Sequence, residues 1–381
     1  MKKIYCFIAA MAAGFSATHG QLLITVTNPS AFPREELVEV PVDSLGTLPS
    51  DFRVSGPNGK EIAWQLTHDG LLLFPVNLAP GESEIYTVGE GHILTFESEI
   101  AWTFRPDRLD DFAWENGHAG YRLYGPAFKR NEGGVYGYDI WCKRQQQPVL
   151  DIFYNGNAAT PQISYHEDHG LGFDGFAVGP TLGAGAFVLT SGDTLLYREC
   201  YRDFEILDNG PLRLTIRFTI DPFEFDGNTV TEVRTLSLDA GSHFNRTAIE
   251  YRGLETPCTT AAGIVVHPEA DFQLLPEIKA VAVEDPTDRP GEGHGNIFIG
   301  LIYPEAMNVR FREEKISGVA GHALAEGIAI PGSPCVYYWG SGWSVRRDAP
   351  DFNAWQLLIK RQAESIRRPL EVTVSDHPGV G

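Results

Sequence analysis

Residues 212–220 alternate between apolar and polar side chains, and this pattern constrains the fold more than any other feature of the chain. Such a period of two residues is typical of a β-strand with one buried face. Residues 229–238, 244–251, 296–303 and 327–330 continue in the same style, whereas 354–362 is the best helix candidate, and it is short. The 40 glycines and 25 prolines supply many turns. The sequence therefore predicts an all-β protein.

The strand pattern changes along the chain and predicts two domains. Residues 21–92 contain short strands separated by Pro/Gly turns, which is typical of a small β-sandwich with a structural role. From about residue 93 to residue 381 the strands are longer and the loops wider. We expect this second part to be a large antiparallel domain of two stacked sheets that carries the active site.

The first 20 residues have the features of a cleaved signal peptide. Lys2 and Lys3 precede an apolar run at 4–15, which is too short to span a bilayer, and small residues follow. The alternative is an N-terminal anchor, but no charged stop-transfer cluster follows the run. We expect a secreted or periplasmic protein with no membrane insertion.

Charge and cysteine spacing exclude several classes of protein. The formal net charge of −20 disfavours nucleic acid as a partner, because phosphates are repelled by an anionic surface. Cys142, Cys200, Cys258 and Cys335 are too widely spaced for a zinc ribbon. Disulfides and buried thiols both remain open for these four residues. The sequence also lacks the serine-hydrolase elbow and the nucleotide-binding P-loop.

Residues 105–174 concentrate aromatic, imidazole, carboxylate and arginine side chains, with little plain aliphatic core between them. Aromatic rings can stack on sugar rings, and arginine can bind a carboxylate through two parallel hydrogen bonds. This stretch therefore indicates a carbohydrate-active site. Its candidate substrate-binding residues are Trp114, Glu115, Arg122 and Arg144, and His118 is a candidate acid or base. The alternative for Trp114 is a place in the core, with Arg122 paired to Glu115 or Asp111.

The segment Tyr165-His166-Glu167-Asp168-His169-Gly170 is the second candidate site. On a helix the two histidines would share one face, but Gly170 and Gly172 favour a turn. A divalent cation is the candidate cofactor here, with ligands drawn from His166, His169, Asp168 and Asp174. One catalytic histidine with a supporting histidine fits equally well, and a solvated loop is the third interpretation. Farther along, residues 337–344 predict either an aromatic loop over a sugar groove, with Trp343 in contact with the sugar, or a final strand.

The order of these motifs resembles the secreted bacterial proteins of domain-of-unknown-function family 4861. The resemblance rests on residues 108–116, 121–127, 139–144 and 165–170, and is extended by 172–174, 178–179, 209–211 and 236–241. It implies a large β body like the supersandwich of polysaccharide lyases and sugar mutarotases. It also implies a place beside polysaccharide-degrading enzymes and work on uronic-acid oligosaccharides. The family supplies no catalytic assignment that can be transferred to this chain.

We therefore expect an enzyme that acts on acidic oligosaccharides, with β-elimination by a lyase or dehydratase as the first hypothesis. Arg122 or a bound cation would neutralise the substrate carboxylate, and neutral His166 would remove the C5 proton. Tyr165 is the candidate acid, but adjacent residues of an extended segment face opposite ways. His118 or Tyr138 is then the partner, while Trp114, Trp343 and His169 contact the sugar. The alternatives are a glycoside hydrolase using Glu115, Glu167 or Asp168, and a glycan-binding protein without activity.

Overall fold

The computed structural model describes residues 21–91, 95–132, 136–197, 200–288 and 293–376. These residues form antiparallel sheets, so the predicted all-β class is confirmed. The predicted signal peptide lies outside the described residues.

The N-terminal part is a small sandwich with a hydrophobic core of its own, which includes Ile24, Val40, Val54, Phe74 and Tyr86. Its first sheet contains β1, β3, β4 and β7, and its second contains β2, β5 and β6. The elements are β1 (Leu22–Thr27), β2 (Arg34–Pro41), a 3-10 turn (Val42–Leu45), β3 (Phe52–Ser55), β4 (Glu61–Ile62), β5 (Gln65–Leu66), β6 (Leu71–Leu78) and β7 (Ser83–Glu90).

A five-stranded sheet follows, in the order β12-β11-β10-β9-β8, and it carries most of the residues singled out in the sequence. Two short helices lie between its strands along the chain. The elements are β8 (Ala101–Arg105), a 3-10 turn (Pro106–Arg108), β9 (Asp111–Glu115), β10 (Ala119–Leu123), α1 (Pro126–Glu132), β11 (Asp139–Lys143), α2 (Leu150–Ala158) and β12 (Gly172–Asp174).

The rest of the chain adds a second five-stranded sheet and a nine-stranded sheet, and one hydrophobic core joins all three sheets. The elements are β13 (Ala184–Ser191), β14 (Thr194–Leu196), β15 (Tyr201–Asn209), β16 (Arg213–Ile220), β17 (Phe223–Phe225), β18 (Asn228–Asp239), β19 (Phe244–Arg252), β20 (Cys258–Val266), β21 (Asp271–Leu275), a 3-10 turn (Pro276–Ile278), β22 (Ala280–Pro286), β23 (Asn296–Ile302), β24 (Asn308–Glu313), β25 (Gly321–Ala329), β26 (Cys335–Trp343), α3 (Phe352–Arg367) and β27 (Glu371–Asp376).

The nine-stranded sheet has the order β15-β16-β18-β19-β26-β23-β22-β21, with β17 paired to β18, and the second five-stranded sheet has the order β14-β13-β20-β25-β24. The alternation at 212–220 has the predicted effect, because Leu214, Ile216, Phe218 and Ile220 are buried along β16. Residues 337–344 do not form a loop over a groove. They belong largely to β26, which pairs with β19 and β23 inside the sheet.

The predicted helix at 354–362 is part of the longer α3, which begins after Asp351. The Asp351 side chain accepts a hydrogen bond from the Ala354 amide at 2.8 Å and so caps the helix. Trp355 and Ile359 pack against Phe298 of the nine-stranded sheet. None of the helices in the described part of the chain has the length and apolar character needed to cross a bilayer.

The last strand returns to the small sandwich. β27 pairs with β1 along its whole length, and Val372 and Val374 pack against the small core. The last described strand therefore belongs to the first sheet, although the sequence places residues 93–381 in the large domain. The division near residue 92 stays a prediction.

Candidate active site

The five-stranded sheet β12-β11-β10-β9-β8 has two unlike faces, because alternate residues of each strand point in opposite directions. One face contributes Phe112, Trp114, Tyr121, Ile140 and Phe173 to the main core. The other face carries six buried charged residues. They are Asp111, Glu115, Arg122, Asp139, Lys143 and Asp174.

Helix α2 and the segment that follows it cover this charged face. Phe153 and Tyr154 of α2 and Tyr165 of the following turn all lie within 5.6 Å, centroid to centroid, of the Trp141 ring. Their apolar cluster also includes Ala113, Val149 and Leu150. The charges beneath are therefore shielded from water, which strengthens their mutual interactions and makes every unpaired charge costly.

Arg122 lies at the centre of the first charged group. Its Nη2 lies 3.1 Å from Asp174 Oδ2, 2.9 Å from the Tyr124 hydroxyl, and in closer contact with Asp139. Its Nη1 is 3.7 Å from Asp111 Oδ2. The arginine is only 5% exposed and the three aspartates at most 3%. We call these five residues the Arg122 cluster.

The Arg122 cluster contains more carboxyl groups than its guanidinium can neutralise. Burial raises the pKa of Asp111 from its usual 3.8 to about 6, against the opposing charges of Arg122 and Arg108. Burial, and then the negative charge of Asp139, raise the pKa of Asp174 well above its usual range. A carboxyl group that keeps its proton near neutral pH can donate that proton to a substrate.

His166 and Tyr165 lie at the rim of the cluster. His166 Nδ1 is 3.5 Å from Asp174 Oδ2, and 47% of the His166 side chain is exposed. Partial burial and the positive charge of Arg122 lower the pKa of His166, so the imidazole is neutral near pH 7. The Tyr165 hydroxyl accepts a hydrogen bond from Arg108 Nε at 3.0 Å. Because the segment turns here, both residues reach the cluster, unlike neighbours on an extended strand.

Tyr165 also lines a cavity of about 380 Å³. Its walls are mostly apolar side chains of α2 and the segment after it, including Ile152, Phe153 and Ile163. The exposed His169 also lines this cavity. The predicted pair of histidines is therefore divided, because His169 lines the cavity whereas His166 contacts Asp174 of the cluster.

The structure places His118 in a different group of residues. It lies in the turn between β9 and β10, where its Nδ1 is 2.7 Å from Asp348 Oδ2. Arg122 lies four residues farther along, in the extended strand β10, and is therefore up to about 13 Å from His118. Arg122, Tyr165, His166 and Asp174 thus come together, but the predicted convergence of His118 with Arg122 and His166 is wrong.

Two predicted substrate-binding residues, Trp114 and Trp343, and the candidate acid Tyr138 lie in the core, which corrects their assignment. Trp114 is 0% exposed, and its Nε1 donates to Asn245 Oδ1 at 2.8 Å, so it offers no face to a sugar. Tyr138 is stacked on Trp339 at 4.2 Å between ring centroids. Trp343 is buried too, beneath the guanidinium of Arg144. The sequence alternative that kept Trp114 in the core is the correct one.

Glu115 also has a structural role instead of a substrate contact. It forms a fully buried ion pair with Lys143 at 2.6 Å and accepts hydrogen bonds from the Val149 and Leu150 amides. These two amides lie at the start of α2, where backbone donors have no partner within the helix. Glu115 therefore fixes the covering helix to the sheet.

The predicted metal ligands are not gathered into one group. Asp168 is paired with Arg144, Nη2 to Oδ2 at 2.5 Å, and also accepts a hydrogen bond from the Gly170 amide. His169 faces the apolar cavity, away from the contact between His166 and Asp174. Over the described ranges, three ligand atoms converge instead at His118, His243 and Asp348.

The sequence did not single out Asp139 or Tyr124 as site residues. The signal was present in the alternation of residues 111–115 and 139–143, where a charged residue begins and ends each strand. Charged side chains on a strand normally indicate a solvated face. Here that face is buried beneath α2, which no local pattern revealed.

Comparisons with known proteins agree with this fold. The chain is 25% identical to Uncharacterized protein P7 of Formosa agariphila, across 97% of this chain and 99% of that protein. An alpha-mannosidase of Enterococcus faecalis has a similar fold, with a TM-score of 0.52 over 94% of this chain at 10% identity. A glycosyl hydrolase family 38 protein of the same species also has a similar fold, with a TM-score of 0.50 over 95% of this chain at 10% identity.

The chain spans about half the length of these two solved structures, 46% and 48% respectively. At such low identity the likeness concerns the fold alone. The family described as Domain of unknown function (DUF4861) matches residues 26–372, which confirms the resemblance found in the sequence. The chain belongs to this family.

Proposed function

We propose that the protein is a carbohydrate-active enzyme that hydrolyses glycosidic bonds, with the Arg122 cluster and His166 as its acid–base centre. The observation that carries this proposal is the packing of three carboxyl groups around one buried guanidinium beneath a half-exposed imidazole. Such an arrangement is costly to bury, and sites that shift proton affinity in this way are concentrated where proton transfer occurs.

The roles follow from the positions of the proton-carrying groups. Asp174 is the proton donor to the glycosidic oxygen, because burial raises its pKa well above the usual range of a carboxyl group and it lies directly beneath His166. Asp111 is mainly ionised at pH 7 and supplies the second carboxylate. The donor protonates the leaving oxygen, water adds to the sugar carbon, and a basic group accepts the proton of that water.

Hydrolysis is favoured over elimination by the contacts of Arg122. Elimination on a uronate needs a cation that is free to neutralise the substrate carboxylate. Arg122 is 5% exposed and already faces Asp111, Asp139 and Asp174, so it has little capacity for a fourth carboxylate. The solved structures of similar fold are also named as a mannosidase and a glycosyl hydrolase, which supports the same preference.

Elimination is the second candidate, and one observation favours it. His166 is half exposed and neutral near pH 7, as a base that removes a carbon-bound proton must be. Elimination would also need a cation that neutralises the substrate carboxylate. Arg144 is the exposed cation closest in sequence to His166 among the described residues, but it is paired with Asp168. An acidic oligosaccharide from outside the cytoplasm is the substrate that this mechanism would need.

The test is a panel of neutral and acidic oligosaccharides incubated with the wild-type protein. Hydrolysis adds one water per bond broken, seen by mass spectrometry, whereas elimination creates a double bond that absorbs in the ultraviolet. Asp174→Asn should lower kcat by at least about 100-fold, because the proton donor is lost. His166→Ala should also lower kcat, and its circular dichroism spectrum should remain that of the wild type.

Asp208→Asn is the matched control. Asp208 is also a buried aspartate, but its partner is His68, at 2.8 Å, in the contact between the small sandwich and β15. This variant should retain the wild-type kcat. Turnover that is unchanged in Asp174→Asn would contradict the proposed acid, and no product from any glycan would contradict the proposed function.

A further inference from the structure

His118, His243 and Asp348 come from three distant segments and meet at one edge of the large domain. His118 lies in the β9–β10 turn, His243 directly before β19, and Asp348 between β26 and α3. Asp348 Oδ2 lies 2.7 Å from His118 Nδ1 and 3.4 Å from His243 Nε2. One ligand atom from each residue lies within 4.8 Å of the other two.

The opposite nitrogen of each imidazole faces a backbone carbonyl. His118 Nε2 is 3.1 Å from the Gly241 oxygen, and His243 Nδ1 is 3.1 Å from the Ser341 oxygen. A carbonyl oxygen only accepts hydrogen bonds, so we assign the ring proton of each neutral imidazole to the nitrogen that faces the carbonyl. In a neutral imidazole the other nitrogen is then an acceptor, and it points at Asp348. Three acceptors therefore face one another.

Three converging acceptors need a cation between them. A proton on one imidazole would satisfy the contact of that ring with Asp348 but would leave the nitrogen of the other ring without a donor. Protons on both imidazoles would place two positive charges on rings whose centroids are 3.9 Å apart, and these charges would repel. Arg346 Nε lies 3.4 Å from the other oxygen of Asp348 and leaves Oδ2 facing the imidazoles. A single metal ion would satisfy all three acceptors at once.

The donor set and its spacing fit zinc. Two imidazoles and one carboxylate form a recurrent three-ligand set for Zn²⁺, with the backbone carbonyls orienting the rings as in known metal sites. Tetrahedral ligation places ligand atoms about 3.3 Å apart. The distance of 3.4 Å between Asp348 Oδ2 and His243 Nε2 already matches this value. The distance of 2.7 Å between Asp348 Oδ2 and His118 Nδ1 has to widen by about 0.6 Å. Asp348 lies on an exposed loop, where such a movement costs little.

We propose that His118, His243 and Asp348 bind one Zn²⁺ ion, with a coordination position left to solvent or to a ligand. The side chains are 15%, 10% and 29% exposed, so an ion reaches them without opening the core. The site joins the β9–β10 turn to the residue directly before β19 and to the segment between β26 and α3. It is separate from the Arg122 cluster and does not depend on the proposed hydrolysis.

The experiment is a zinc titration of tag-free protein that has first been treated with a chelator. Calorimetry and elemental analysis should give one Zn²⁺ per chain, and the midpoint of thermal unfolding should rise with zinc concentration. Ca²⁺ should not bind here, because it prefers oxygen ligands. His118→Ala and Asp348→Asn should each weaken zinc binding by at least about 100-fold.

His68→Ala is the matched control, because His68 also contacts an aspartate but belongs to no group of three potential metal ligands among the described residues. This variant should bind zinc as the wild type does. The visible spectrum of bound Co²⁺ in the wild-type protein gives a test that does not require the variants to fold. The absence of one-to-one zinc binding, or equal affinity in the wild type and Asp348→Asn, would overturn the proposal.

Discussion

At the scale of single residues, neighbours in sequence have opposite surroundings. Trp114 is enclosed in the main core, whereas Glu115 points to the other face of the same strand and pairs with Lys143. The two side chains cannot act together on one ligand, although they are adjacent in the most conspicuous motif of the chain. The direction of each side chain on the strand decided its role.

Asp111 gives a pH prediction with a definite sign. Its pKa is raised in the folded protein, to about 6 from 3.8, mainly by burial. The folded state therefore binds the proton more tightly, and the stabilising effect is complete below pH 3.8 and lost as the pH rises through about 6. We expect the free energy of unfolding of the wild type, relative to Asp111→Asn, to fall by up to about 3 kcal/mol across this window.

Urea unfolding at several pH values between 4 and 7.5 measures this difference. The comparison with Asp111→Asn removes contributions from groups that both proteins share. A difference that rises with pH would mean that pairing with Arg122 and Arg108 outweighs the cost of burial. A difference independent of pH would contradict the raised pKa itself.

At the scale of secondary-structure elements, the short strand β12 holds Asp174 in the Arg122 cluster. It pairs with β11 over only three residues, and Gly172 forms the first of these pairs. Gly172 has φ +115°, and a Cβ atom there would lie 1.9 Å from the Cys142 carbonyl oxygen. The close approach of the two strands therefore depends on the missing side chain.

Gly172→Ala should push β12 away from β11 and displace Asp174. We expect a loss of more than about 2 kcal/mol in stability, together with loss of any activity that depends on Asp174. Gly170→Ala is the control, since Gly170 also has positive φ but a Cβ atom there meets nothing within 4 Å. Chemical denaturation compares the two variants, and equal effects would contradict the role of close strand packing.

At the scale of the whole molecule, the two ends of the described chain are held together. β27 pairs with β1, and Arg34 Nη1 donates to the Arg368 carbonyl at 2.8 Å. The small sandwich also contacts the nine-stranded sheet, where Gln65 Oε1 accepts hydrogen bonds from the Leu212 and Arg213 amides. Contacts between residues so distant in sequence couple the stability of the small sandwich to the end of the chain.

Val374→Asp should therefore destabilise the small sandwich, although the residue lies near the C-terminus. Val374 packs against the small core and pairs with Ile24, so an aspartate would place a charge against apolar side chains. We expect a loss of about 2–3 kcal/mol. Limited proteolysis should then cut first within residues 21–91.

Thr373→Asp is the matched control, because Thr373 is the exposed neighbour on the same strand. The free energy of unfolding of this variant should fall by less than about 1 kcal/mol. Equal protease resistance of the Val374→Asp variant and the wild type would contradict the role of β27 in the small core.

The sequence by itself determined the β class, the family and one part of the candidate site. Period-two alternation depends only on neighbouring residues, so β16 and its core face could be predicted. Arg122, Tyr165 and His166 could also be found, because the dense motifs mark them directly. The buried carboxyl groups around Arg122 could not, since a charged strand face is usually solvated.

Only the tertiary structure decided which charged face is covered and which imidazoles meet. Helix α2 and the segment after it cover Asp111, Asp139 and Asp174, and this burial raises the pKa of Asp111 and that of Asp174. His118 and Asp348 lie 230 positions apart in the chain, yet are in direct contact. Strand order and loop placement bring such groups together, and both arise from packing between sheets, for which a local sequence pattern carries no signal.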